Sequence, residues 1–124
     1  MIVKNRAEAL QAARAKAYRS PEGVQFSVEL TGRVINALEK YLNRAGVQNW
    51  SYRTTRHTDV YDFTRGQFTL VARSAVQVEQ MCYVMQELVT IAQKFKVADE
   101  QDKIQAAARI QRGRSLRNLL VFQH

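Results

Sequence analysis

Between Val78 and Phe95, apolar side chains recur at steps of three and four residues through Met81, Cys82, Met85, Leu88, Val89 and Ala92. That spacing draws one face of a helix about five turns long. A chain that contains it must supply an apolar surface to cover that face. Val84 and Ile91 lie off the stripe, so the helix, predicted over 74–97, also touches apolar surface on a second side, from the N-terminal segment or from another copy of the chain. Its apolar positions span more than two heptads, which permits a homodimer through the 74–97 helix.

The covering surface is written in a different period. Val24, Phe26, Val28 and Leu30 alternate with Gln25, Ser27 and Glu29, the pattern of a strand with one buried face; a helix starting near Ser27 is the rival reading, because Leu30, Val34, Leu38 and Tyr41 also keep helical spacing. Thr31 follows as the N-cap of a helix running to about Ala45, with Gly46 as its stop. Residues 50–73 hold most of the remaining β signal, with Trp50, Tyr52, Tyr61, Phe63, Phe68, Leu70 and Val71 among threonines and arginines. Thr64-Arg65-Gly66-Gln67 reads as the hairpin turn, which puts Arg65 at an exposed tip. Residues 3–19 predict an Ala-rich helix with a thin apolar stripe, ended by Ser20-Pro21. Beyond the long helix, Asp99 reads as the N-cap of a separate helix from Glu100 to about Arg112, weakened at Gly113. The apolar run Leu119 to Phe122 is expected to dock on the core or on a partner.

These elements predict an α+β fold: a small antiparallel sheet of two to four strands, packed on one face by helices, with a basic helix at each end of the chain. The boundary at Ser20-Pro21 divides it into a basic helical arm, residues 1–20, and a single α+β domain, residues 21–124, with a basic C-terminal segment. In outline the order is similar to ferredoxin-like folds and, from the second element onward, to double-stranded-RNA-binding domains. The basic cluster that opens the last helix of the latter is replaced here by Ser74-Ala75-Val76-Gln77-Val78-Glu79, and no family is assigned.

The net charge of +8 is unevenly placed. Lys and Arg outnumber Asp and Glu by four in residues 1–20 and by four in residues 104–124, and they balance in between. Basic segments flanking a neutral body point to a polyanion. The sharpest cluster is Arg109, Arg112, Arg114 and Arg117, with no acid among them, since guanidinium forks suit phosphate oxygens and base edges. Arg14, Lys16 and Arg19 add to it from the arm, and Arg56 and Arg65 from the hairpin. These nine residues are the expected nucleic-acid contacts, with DNA and RNA both open, and stacking of bases on Tyr52 or Tyr61 is a lesser expectation. The alternative is an inhibitor or adaptor, of viral or mobile-element type, that docks the same basic surface on an acidic protein.

Chemistry is thinly represented. There is no phosphate-cradling glycine loop, HExxH or CxxC, so no cofactor and no metal are expected and the chain reads as non-catalytic. The rival enzymatic reading is a phosphoesterase-like site of His57, Asp59 and Asp62, whose strand alternation separates Asp62 from the other two. Cys82, the one cysteine, reads as a small buried hydrophobe and makes no internal disulfide. With no signal-peptide pattern and no apolar run of membrane-spanning length, the expected setting is the cytoplasm, away from membranes.

Overall fold

A computed structural model describes residues 1–46, 52–58 and 64–122, with side chains described through Gly113 outside those gaps. In chain order the elements are β1 (Ile2–Val3), α1 (Arg6–Arg14), a short 3-10 turn (Ala17–Arg19), β2 (Val24–Thr31), α2 (Gly32–Arg44), β3 (Tyr52–Thr58), β4 (Thr64–Ala72) and α3 (Ala75–Phe122). The sheet order is β1-β2-β4-β3, and the fold is the small α+β arrangement expected.

The alternation in β2 decides which face is buried. Phe26, Val28 and Leu30 stand opposite Leu70, Phe68 and Gly66 of β4, and Tyr52 and Thr54 of β3 stand opposite Leu70 and Phe68. All of these share one side of the pleat. That side meets the helices in one core built from Phe26, Phe68 and Leu70 of the sheet, Leu38 and Leu42 of α2, Ala9 and Ala12 of α1, and Val78, Met81 and Met85 of α3. Tyr52 lies against Phe68 with ring centroids 5.9 Å apart, so its ring belongs to the core side. Gly66 is required by a close approach: a Cβ there would collide with the Thr55 carbonyl oxygen and come within 2.8 Å of Ile35 Cδ1.

Among the described residues the other side of the sheet carries no helix partner and is mainly polar, Ile2 and Val71 apart. Ser27 and Thr69 join their hydroxyls at 3.0 Å, and Gln67 Nε2 donates to Ser27 Oγ at 2.7 Å. His57 and Arg65 stand opposite each other on this side. Because β2 and β3 each run antiparallel to the β4 that separates them, the β2-α2-β3 unit is a split β-α-β arrangement.

Four features depart from the sequence reading. The sheet is mixed, because β1 pairs parallel to β2; two residues are too few to show a period, yet Val3 is buried. The helix expected over 3–19 is only Arg6–Arg14. Asn5 caps it, its Oδ1 accepting from Glu8 N–H at 2.9 Å while Glu8 Oε2 accepts from Lys4 N–H at 2.6 Å. Lys16, at φ 54, then closes it in the left-handed region. Residues 64–67 all lie in β4, so the hairpin connection falls at residues 59–63, outside the described residues. Gly66 had looked like a turn glycine and is a packing glycine instead.

The fourth departure concerns the two helices expected at 74–97 and 100–112, which are one helix of 48 residues. At 1.5 Å per residue it is about 72 Å long, against about 26 Å for the eight residues of β2. Val97-Ala98 offers no breaker, and the Asp99 carboxylate is occupied elsewhere: its Oδ2 accepts from the Thr31 hydroxyl at 2.8 Å. One interaction thereby engages both side chains. Thr31 holds the N-cap position of α2 with no side-chain bond to that helix, and Asp99 does not open a helix of its own. The start of α3 is conventional, with Gln77 N–H donating to Ser74 Oγ at 3.1 Å and Arg73 N–H to Gln77 Oε1 at 2.7 Å.

Residues 1–20 are part of this same body. β1 extends the sheet, and Ala9 and Ala12 of α1 are fully buried in the shared core. Alanine at those two positions lets α1 lie close against α3. Lys4, Asn5 and Arg6 line a hollow with Met85, Gln86, Leu88 and Val89, whereas Ala13 lines one that reaches Ala75 and Val78, so the helices run antiparallel.

Candidate nucleic-acid interface

The sequence-predicted basic residues fall into three places. Arg14, Lys16 and Arg19 are exposed at and just past the C-terminal end of α1, which lies beside the start of α3. Arg109 and Arg112 are exposed near its other end. From Ala75 to Arg109 the helix rises about 51 Å, so the two charged ends of the sequence are also two ends of the molecule. Arg114 and Arg117 continue along α3, with side chains outside those described. Arg65 is half-buried on the helix-free side of the sheet, its Nε 3.6 Å from Glu29 Oε1, an ion pair too long for a hydrogen bond.

Arg56 and Arg109 line one cleft, and Arg33 lines it with them. The end of β2, the first turn of α2, β3, β4 and the middle of α3 enclose an open cleft of about 440 Å³ whose lining includes Arg33, Arg56, Arg109, Asp99, Asp102 and Gln105. Arg33 Nη2 pairs with Asp102 Oδ2 at 2.9 Å. Arg56 Nη2 donates to Glu39 Oε1 at 2.7 Å and to Asn36 Oδ1 at 3.0 Å. Thr54 Oγ1 donates to the same Glu39 oxygen at 3.2 Å. Asp99 is 8% exposed, and its Oδ1 has no hydrogen-bond partner among the described residues. Arg33 and Arg56 thus spend their charge on Asp102 and Glu39, while Arg109 lines the same cleft without an ion pair among the described residues.

That balance separates the arginines by what they have left to offer. Arg33, Arg56 and Arg65 each lie within 4 Å of an acid, whereas no ion pair among the described residues involves Arg109 or Arg112. Arg112 only curls back toward its own helix, Nε to the Ala108 carbonyl at 3.4 Å. From Ile104 onward the sequence contains no acid. Past Ala106, the last buried position described, α3 continues for sixteen residues, about 24 Å, and the described side chains along it are exposed or half-exposed. The uncompensated charge therefore begins at the rim of the cleft, at Arg109, and continues along α3 past its last described buried position.

Sequence reasoning missed Arg33, Asp99 and Asp102 as neighbours. Arg33 carried a signal, for a cation in the first turn of a helix opposes the macrodipole and calls for an acid from elsewhere, which Asp102 supplies. The long reach from residue 33 to residue 102 had no local trace.

The remaining candidates are dispersed. His57 is exposed on β3; Asp59, Tyr61 and Asp62 lie outside the described residues. Among the described residues no three His, Cys, Asp or Glu side chains gather as a metal site. Cys82 is a free thiol at 5% exposure, and burial pushes its pKa above the ordinary thiol range against a smaller opposing pull from Arg6. No described helix is long and apolar enough to cross a membrane. Compared with protein-family models, curated proteins and solved structures, the chain has no match.

Proposed function

We propose that the chain is a non-catalytic nucleic-acid-binding protein whose C-terminal stretch of α3 contacts phosphates, with Arg109 and Arg112 leading and Arg114 and Arg117 extending the contact. One observation supports the reading: α3 runs unbroken past its last described buried residue as an acid-free helix whose described arginines have no ion-pair partner among the described residues. A bare helix is 10–12 Å across with side chains, about the width of the DNA major groove, and uncompensated arginines exchange their counterions for phosphate. Arg56 and Arg65 are secondary contacts, since each must share its charge with an acid.

The test is fluorescence anisotropy of labelled single- and double-stranded DNA and RNA across a salt series. Binding with a steep negative log–log slope is expected, and Arg109→Gln or Arg112→Gln each lowers the slope by about 0.9. Absence of binding at low salt would overturn the reading. It would hand the same helix to an acidic protein partner, recoverable in fixed stoichiometry after nuclease treatment.

A further inference from the structure

Of the two carboxylates lining the cleft, Asp102 pairs with Arg33, and Asp99 pairs with no cation among the described residues. Asp99 is 8% exposed, and its Oδ2 accepts from the Thr31 hydroxyl while its Oδ1 has no hydrogen-bond partner among the described residues. A buried carboxylate oxygen left bare is costly. Arg109 is the complementary remainder: it lines the same cleft without an ion pair among the described residues, yet it stands about 15 Å along α3 from Asp99, too far to pair with it.

An occupant has to answer both remainders at once. A cation is opposed by Arg33, Arg56 and Arg109 around it, and an anion brings no proton to Oδ1. A neutral group with donors at one end and a negative charge at the other answers both, and a nucleotide has that form. Among the four common bases, guanine alone sets two donors side by side, N1–H and the N2 amino group, with the O6 acceptor next to them, on an edge that is open only when the base is unpaired. A carboxylate matches that pair of donors, since Oδ1 has its lone pairs free and Oδ2 keeps one beyond the Thr31 bond. Asn36, whose Oδ1 is taken by Arg56, retains its amide N–H groups for O6. The cleft, at about 440 Å³, falls within the range of small-ligand sites. Solvent does not reach Oδ1 in the free chain, so the base enters by displacing a flexible side chain. Arg33 suits that part, being 45% exposed and stretched from the first turn of α2 to Asp102, because an exposed ion pair holds its partners weakly.

We propose that the cleft binds one unpaired guanine of a single strand, with Asp99 accepting from its Watson–Crick edge and Arg109 holding the adjoining phosphate. The choice of a nucleotide rests on the reading of α3 as a phosphate contact. It adds base selection to a row of arginines that by itself reads only charge.

NMR titration of the full chain with 5′-GMP, 5′-IMP and 5′-UMP at low salt tests the site. IMP differs from GMP only in lacking the N2 amino group. GMP is expected to shift the amide resonances of Thr31, Arg33 and Asp99 and to bind about 5- to 150-fold more tightly than IMP. UMP should be weaker still, since the carbonyls beside its N3–H face the carboxylate. Asp99→Asn should bring GMP and IMP to the same affinity, and Arg109→Gln should weaken both by one common factor. Cleft resonances that no nucleotide moves, as for a cleft that only water fills, would overturn the proposal. So would a wild type that does not tell GMP from IMP, a comparison that holds whether or not Asp99→Asn folds. Oligonucleotides that bind with a steep salt slope while GMP and IMP are alike would leave the phosphate contact standing and remove the guanine site; GMP seated in the cleft of a chain that binds no oligonucleotide would do the reverse.

Discussion

The two halves of α3 obey different rules although they are one helix. The first half, to about Asp99, has its apolar stripe through Phe95 covered by the sheet, α1 and α2, and its identity is dictated by volume. The stretch after Ala106 is uncovered in the described residues, and its identity is dictated by charge. Helicity alone therefore says nothing about what a segment is for; what lies against it does.

The sharpest way to break this contrast is a matched pair of truncations. Met81→Ala, at a fully buried site, should cost about 2–5 kcal/mol in urea denaturation. Ile104→Ala, at 69% exposure, should cost under about 0.5 kcal/mol measured on the monomer. Equal costs would mean that the outer part of α3 is buried against the body after all. Next in size, Gly66→Ala should destabilise by about 1–3 kcal/mol, because the added methyl meets Ile35 of α2 and the Thr55 carbonyl of β3 together. A neutral result would deny that α2 presses on the sheet there.

The joint between the halves is the Thr31–Asp99 bond. Thr31→Val removes the donor and leaves a buried carboxylate with neither oxygen paired, at a cost of about 1–3 kcal/mol. A double-mutant cycle with Asp99→Asn should show coupling between the two positions, and strict additivity would remove the bond from the account. A smaller effect sharpens the same comparison chemically. With its pKa raised by burial, the Cys82 thiol stays protonated in the folded state after an unfolded thiol has ionised. Its contribution to stability is whole below the unfolded pKa and falls as pH rises through the folded one. A thiol-specific reagent should accordingly label the native chain slowly and the urea-unfolded chain at once.

How much of this was legible beforehand depended on whether a signal was local. The alternation from Val24 to Leu30 favoured β2 and its buried face over the rival helix, and the three- and four-residue steps through Met81 and Met85 marked the first half of α3 but not its length. Gly66 and Asp99 misled for a shared reason. Glycine in a turn and glycine under a helix look alike in a string of letters, as do an aspartate that caps and one that reaches residue 31. The same limit governs the candidate site. Arg109 and Arg112 could be nominated from an acid-free run, but that Arg56 and Arg65 would each stand beside an acid depended on strand register and helix placement.

An unbroken α3 also makes the molecule a ruler. Because no hinge intervenes between Met81 in the core and Arg112, the distance and bearing of the basic tip are set by residue count alone. Adding seven residues between Ala106 and Arg109 would advance the tip by about 10 Å while turning it only about 20°. Adding five would advance it by about 7.5 Å and swing it more than a third of the way round the axis. Length and phase can thus be varied separately in this protein, and whatever the tip grips should register a change of bearing more keenly than a change of reach.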